Sequence, residues 1–343
     1  MPPWGMFGTC RVLAREEMSR YRRILVLSDV HYACEAEEAR GEFEIEAVED
    51  PVARAWVTAW MRHVWMRRPG PQNVLLDRFI RDAGDADLVV ANGDHTVNSA
   101  FVGLSDPASL ESARICLDKL RERHGDAFHA TIGDHELGKN GFGVTCGGMR
   151  LESFRLAREA LGLKPVWRTD LGGYALIGVT SSLLALPLYE AELHGDEAEG
   201  WRRLAREHAA EVVETFRGVA KDRRILLFCH DPSALPFLKE LSGIRAAVGR
   251  IEATVIGHLH SGLIFEMAGL LSGFPRLPLP GAALKRINFG LNRARVWRDF
   301  RTRFCPCLAG IQLLGDGGYL EIKLDEEGET PARFQTHAWK RDW

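Results

Sequence analysis

RRILVLSDVH, at residues 22–31, reads as a buried strand that ends in two side chains able to hold a cation. Ile24–Leu27 is a short run of branched apolar residues, and Asp29 and His31 follow the last of them. The same arrangement returns in DADLVVANGDH (85–95), FHATIGDHE (128–136), RRILLFCHD (223–231) and EATVIGHLH (252–260). Between these stretches, apolar residues at helical spacing predict helices over 74–83, 110–123, 151–161 and 197–219. Tyr174–Val179 is a further strand candidate, and Ile311–Leu314 and Leu320–Leu324 flank Gly315-Asp316-Gly317-Gly318 as a predicted hairpin. Strands alternating with helices predict an α/β architecture with buried strands. In such sheets, binding residues gather in the crevice beyond the carboxyl ends of the strands. Five loops can therefore deliver their side chains to one place.

Those loops carry Asp29, His31, Asp94, Asp134, His230, His258 and His260. Carboxylate oxygen and imidazole nitrogen suit a hard-to-borderline divalent cation. Seven such groups exceed what one ordinary ion takes and suit two ions sharing a bridging carboxylate. Two metals can clamp the attacking and leaving oxygens of an in-line displacement at phosphorus and neutralise charge on the equatorial oxygens. The chain has no G-x-S-x-G elbow and no G-x-x-x-x-G-K-[ST] loop, which argues against a serine hydrolase of that type and against a nucleotide-driven machine.

The ordered set D-x-H, GD, GDHE, an isolated His and GHLH resembles the calcineurin-like metallophosphoesterase superfamily from Asp29 to His260. The resemblance implies two central mixed β-sheets flanked by α-helices. It implies that Asp29, His31, Asp94 and His260 hold one metal, with Asp94 bridging to a second held by Asp134, His230 and His258. It further implies attack by a metal-activated hydroxide, with His135 protonating or orienting the leaving oxygen and Glu136 as its acidic orienting partner. The family has Asn where this chain has Asp134, so an extra negative charge enters the expected site. Two divalent ions are expected, from Mn, Fe, Zn or Mg, with Mn favoured.

The 343 residues are 46% hydrophobic and 27% charged, with a formal net charge of −3, so no global pull toward nucleic acid or anionic membranes is expected. Seven scattered cysteines suggest no disulfide framework and favour a reducing compartment. Cys305-Pro306-Cys307, their one close pair, reads as two loop thiols. The N-terminus lacks the apolar run of a signal peptide, and no 18-residue uncharged apolar run occurs. The expected organisation is an N-terminal extension over 1–20 and a single domain over 21–343, with inserts at about 32–72 and 263–304.

The second insert mixes Leu, Phe and Trp with Arg276, Lys285, Arg286, Arg293, Arg295, Arg298, Arg301 and Arg303. This pattern points to a lipid-linked or amphiphilic phosphate ester and to a peripheral membrane contact through 263–304 of a cytoplasmic protein. His95, Arg293 and Arg295 are the expected substrate contacts. A nucleotide or nucleic-acid phosphodiesterase is the nearest alternative, and a metal-binding scaffold without turnover is the alternative from another class. Oligomeric state has no sequence signal.

Overall fold

Alternation along each central strand divides its side chains between two apolar environments. Ile24 and Val26 face one buried cluster while Leu25 and Leu27 face another, and Leu88/Val90 against Val89/Ala91 repeat the division. Tyr174/Leu176 against Ala175/Ile177 and Leu226/Phe228 against Ile225/Leu227 do the same in a second sheet. A strand that is apolar on both faces must be covered on both. Here the two sheets cover each other's inner faces, and helices cover the outer ones.

The computed structural model describes residues 20–65, 69–141, 144, 146–270, 272–273, 282–308, 310–311, 314 and 317–339. Its strands are β1 (Tyr21–Leu27), β2 (Leu88–Asn92), β3 (Phe128–Thr131), β4 (Val166–Leu171), β5 (Tyr174–Val179), β6 (Arg224–Cys229), β7 (Ile251–Ile256), β8 (Thr302–Phe304), β9 (Gly318–Asp325) and β10 (Arg333–Ala338). One sheet has the order β10-β9-β1-β2-β3 and the other β4-β5-β6-β7-β8. β1, β2 and β3 are mutually parallel, as are β5 through β8, and antiparallel strands complete each sheet. The expected pair of mixed sheets flanked by helices is what the chain forms.

The helices used below are α1 (Pro51–His63), α2 (Pro69–Asp82), α3 (Pro107–His124), α4 (Asp134–Leu137), α5 (Leu151–Glu159), α6 (Ala198–Arg217), α7 (Gly262–Leu270), α8 (Ala282–Arg293) and α9 (Arg295–Asp299). α3 starts where a capping residue meets a proline. Asp106 accepts from Ala108 N at 3.1 Å and Ser109 N at 3.0 Å, and Pro107 occupies the first turn, where its missing N–H costs nothing. Its inward stripe Ala113, Cys116, Leu117 and Leu120 is fully buried, as is Trp201 of α6.

Two expectations need correction. Of the expected hairpin arm at 311–314, Ile311 and Leu314 lie outside any strand and 312–313 lie outside the described residues; β9 pairs with β1 and β10, Phe334 opposite Ile322. The glycine-rich turn lies partly outside the described residues. The expected insert at 263–304 is not an addition to the core throughout, because its last residues are β8, with Thr302 opposite Thr254 and Phe304 opposite Ile256. Cys305 and Cys307 lie in the loop after β8, outside the named strands. Both are buried, with Cys307 Sγ 3.2 Å from the carbonyl of Asp29, so the pair packs beneath the first polar loop. Of the expected extension at 1–20, only Arg20 is among the described residues, and it pairs with Asp325 at 3.1 Å.

Candidate metal centre

The ends of β1, β2, β3, β6 and β7 meet at one end of the sandwich, and their loops are stitched together by backbone bonds. Asp29 N donates to Gly93 O at 3.1 Å, His31 N to Asp94 O at 3.1 Å, and Gly257 N to His230 O at 3.0 Å. His258 N donates to the Asp29 carboxylate and His135 N to Asp94 Oδ1, at 3.1 and 3.0 Å. Asp29, His31, Asp94, His258 and His260 all have left-handed backbone, with φ from 48° to 63°. Such residues cost about 1–2 kcal/mol each and persist where surrounding bonds over-determine them. The glycines before the ligand-type residues make the approach possible: a Cβ on Gly133 would lie 2.2 Å from Asp94 Oδ1.

Three groups of side chains converge: Asp29, His31 and His260; Asp94, Asp134, His230 and His258; and His31, Asp94 and His135. Within each group the candidate ligand atoms lie within 4.8 Å of one another. Asp94 Oδ2 is 3.1 Å from His230 Nε2, His258 Nδ1 is 3.2 Å from Asp134 Oδ1, and His260 Nε2 is 3.5 Å from Asp29 Oδ1. Bonds of about 2.0–2.2 Å to one ion place neighbouring ligand atoms about 3–3.5 Å apart.

The fit is tested by the atoms themselves. His31 Nε2, Asp94 Oδ2, Asp134 Oδ1, His230 Nε2 and His258 Nδ1 are buried and have no hydrogen bond. An unpaired buried polar atom costs about 1–3 kcal/mol, and five aimed at one space make a donor set that fits a divalent cation. Burial pushes the His31 imidazole well below its usual range and takes His260 down to about 4, leaving both neutral with lone pairs to donate. Burial and neighbouring Asp134 push Asp94 upward, yet His230 and His135 outweigh them and hold it well below the usual carboxylate range. His230 Nδ1 donates to Asn92 O at 2.6 Å, which aims Nε2 inward.

All seven expected ligand residues and His135 thus lie together, but four other assignments change. Glu136 does not touch the His135 ring. Its carboxylate accepts from the backbone of Gly133 (2.7 Å), Asp94 (3.1 Å), His95 (2.7 Å) and Thr96 (3.3 Å), clamping two loops at their root. The partner of His135 Nδ1 is the carbonyl of Val97 at 2.6 Å. His95 is wholly buried, with Nε2 on Thr131 O at 2.9 Å, so it faces away from any substrate. Arg293 lies over the Phe289 ring and Arg295 is exposed; neither lines the cavity above the centre.

That cavity encloses about 1050 Å³. His135, His258 and His260 form part of its floor, and Trp56, Trp60, Trp65, Phe101, Val144 and Trp297 part of its wall. Trp65 lies 4.7 Å from the His260 ring. Two cations that were not among the expected substrate contacts, Lys139 and Arg286, also line it. Each is bound to a carboxylate: Lys139 Nζ to Asp134 Oδ2 at 2.7 Å, and Arg286 to Glu192. Arg286 also lies 4.6 Å over the Tyr189 ring. Glu44 lines the same wall, and burial and then Glu37 push its carboxyl up to about 7.

The α/β sandwich thus ends in a buried carboxylate and imidazole cluster of the kind that can hold divalent metal. The chain matches the model of the calcineurin-like phosphoesterase family over residues 22–262, and it belongs to that family. A search of curated proteins found no match. Among solved structures, similarity is found to a purple acid phosphatase from seeds of yellow lupin (Lupinus luteus), at 12% identity and a TM-score of 0.36. The alignment covers 70% of this chain but only 38% of the lupin protein. The phosphopantetheinyl hydrolase of Mycobacterium tuberculosis aligns at 15% identity and a TM-score of 0.35, over 70% of this chain and 84% of that one.

Two predictions follow from this geometry. Glu136→Gln replaces an acceptor of four backbone bonds and lowers stability by about 2–3 kcal/mol in urea unfolding; unchanged stability contradicts the clamp. Glu44 has a folded pKa above its unfolded one, so the protein loses stability as pH rises from about 4.5 to about 7. Glu44→Gln removes that loss, so its gain in melting temperature is larger at pH 8 than at pH 5. Equal gains at both pH values contradict a desolvated Glu44.

Proposed function

We propose that this protein is a binuclear metal-dependent phosphohydrolase acting on an amphiphilic phosphate ester whose apolar part occupies the cavity. Asp29, His31, Asp94 and His260 hold one divalent ion, and Asp94, Asp134, His230 and His258 the other, with Mn²⁺ favoured. When bound, the ions supply Lewis acidity and a low-pKa water for attack at phosphorus. The chain's own residues do the rest. His135 commits Nδ1–H to Val97 O, so Nε2 faces the cavity floor, 3.9 Å from Asp94 Oδ2, and carries the proton that the leaving oxygen needs. The left-handed loops and the Glu136 clamp preorganise the cluster on the ends of rigid strands.

The observation that carries the substrate class is the wall of the cavity. Its tryptophans and aliphatic side chains lie directly above the cluster, and the same apolar surface continues outside. Val52, Trp56 and Trp60 repeat every four residues on α1, line the cavity and are 66%, 74% and 48% exposed. α7 turns Ile264 and Ala268 toward the cavity and leaves Leu263, Met267 and Leu270 exposed. Exposed apolar stripes on two helices beside a cavity mouth suit contact with a lipid surface. No helix among the described residues is long and apolar enough to cross a membrane, so this contact is peripheral.

With Mn²⁺, the protein turns over p-nitrophenyl phosphate or bis(p-nitrophenyl) phosphate, and Asp94→Ala loses metal and turnover together. Wild-type protein that binds two ions yet hydrolyses neither these nor a broad panel of phosphate esters contradicts the enzyme reading. In flotation with phosphatidylglycerol–phosphatidylcholine vesicles, wild type floats and the Met267→Glu/Leu270→Glu variant stays at the bottom. Equal recovery of the two contradicts the membrane contact.

A further inference from the structure

The family pattern has Asn at the position of Asp134, and the structure shows how the added charge is met. Asp134 uses its two oxygens differently. Oδ1 faces His230 Nε2 at 3.4 Å and His258 Nδ1 at 3.2 Å, whereas Oδ2 takes the Lys139 ammonium at 2.7 Å. The carboxylate is 1% exposed and the lysine side chain 20%, so this is an ion pair shielded from bulk water. A buried carboxylate left without a cation is strongly unfavourable.

The backbone is built to make the pair. Gly138 follows α4 with φ 92°, and a Cβ there would lie 2.6 Å from Gly148 O and 2.8 Å from Val102 C. This tight turn brings the residue five positions after Asp134 back against it. The next residue is held as well: Asn140 N donates to Glu192 Oε2 at 3.0 Å, and Glu192 pairs in turn with Arg286 of α8. The neighbouring cation is therefore engaged elsewhere, and Lys139 has Asp134 as its carboxylate partner.

We propose that Lys139 is a positioning residue of the metal centre. It holds the far oxygen of Asp134, so that this carboxylate presents a single oxygen to the centre and adds no net charge there. Asp134 and Lys139 together then replace the neutral amide of the family pattern. The inference rests on reading the seven residues as a two-metal centre, and it makes the two positions interdependent. Asn at 134 with Lys139 retained leaves an unpaired ammonium beside two cations. Removing the lysine as well returns the site to a neutral amide.

The test is calorimetric titration of Mn²⁺ alone into metal-free wild type, Asp134→Asn, Lys139→Met, Lys139→Arg and the double variant Asp134→Asn/Lys139→Met. Asp134→Asn keeps a ligand oxygen but leaves the Lys139 ammonium unpaired beside the ions, and weakens the second Mn²⁺ by about tenfold or more, the size typical of a disturbed outer contact. Adding Lys139→Met to it recovers most of that loss, and Lys139→Arg binds Mn²⁺ like wild type. The deciding comparison, Asp134→Asn against the double variant, leaves no buried carboxylate unpaired, so it does not depend on Lys139→Met folding. A double variant that binds no better than Asp134→Asn, with two Mn²⁺ in wild type, overturns the role of Lys139 alone. Wild type that takes up fewer than two Mn²⁺ overturns the metal-centre reading and this inference with it.

Discussion

Three carboxylates, Asp29, Asp94 and Asp134, meet at one end of the sandwich with at most 1% of their surface exposed. Like charges removed from water repel, and only cations or hydrogen-bond donors relieve them. The protein uses both. Asp29 receives the backbone N–H of His258, Asp94 that of His135, and Asp134 the ammonium of Lys139. What remains is a set of inward oxygens and imidazole nitrogens without hydrogen bonds. Glu136 shows the contrasting solution a few ångströms away. It is just as buried, but four backbone N–H groups satisfy it, and it has become part of the scaffold.

The strands bear the geometric burden. Parallel β1–β3 and β5–β7 bring their carboxyl ends to the same side, and the loops beyond them use left-handed backbone to turn each side chain inward. This is why the fold and the cluster were so legible in the sequence. Buried strands write themselves as continuous apolar runs, and the ligand-type residues follow them in register. Three of the four edge strands do not. β4 reads VWRTDL and β10 reads RFQTHA, with charged and apolar residues mixed, and β8 is three residues among arginines. Their pairing comes from a neighbouring strand, not from their own pattern, and so 311–314 was expected where β10 forms.

At the site, sequence spacing located side chains but not their partners. His135 and Glu136 are adjacent in the chain, yet one points to the cavity floor and the other to the loop roots. Arg293 and Arg295 drew notice by density of charge, whereas the arginine that reaches the cavity is Arg286, about two turns before Arg293 on α8 and paired with a glutamate ninety-four residues earlier. Lys139 carried a readable signal, a lysine between glycines just after the irregular Asp134. Its meaning needed the turn at Gly138. Likewise, Trp56 and Trp60 stand in the expected insert at 32–72 with no readable role, and only packing shows them serving both as cavity wall and as exposed surface.

The central claim is that five strand ends assemble one two-ion centre bridged by Asp94. Anomalous diffraction at the manganese edge, from crystals of the Mn²⁺-loaded protein, tests it most directly. The account predicts two peaks about 3.5–4 Å apart, with the Asp94 carboxylate between them, Asp29, His31 and His260 on one and Asp134, His230 and His258 on the other. A single peak, or two that do not share Asp94, contradicts it.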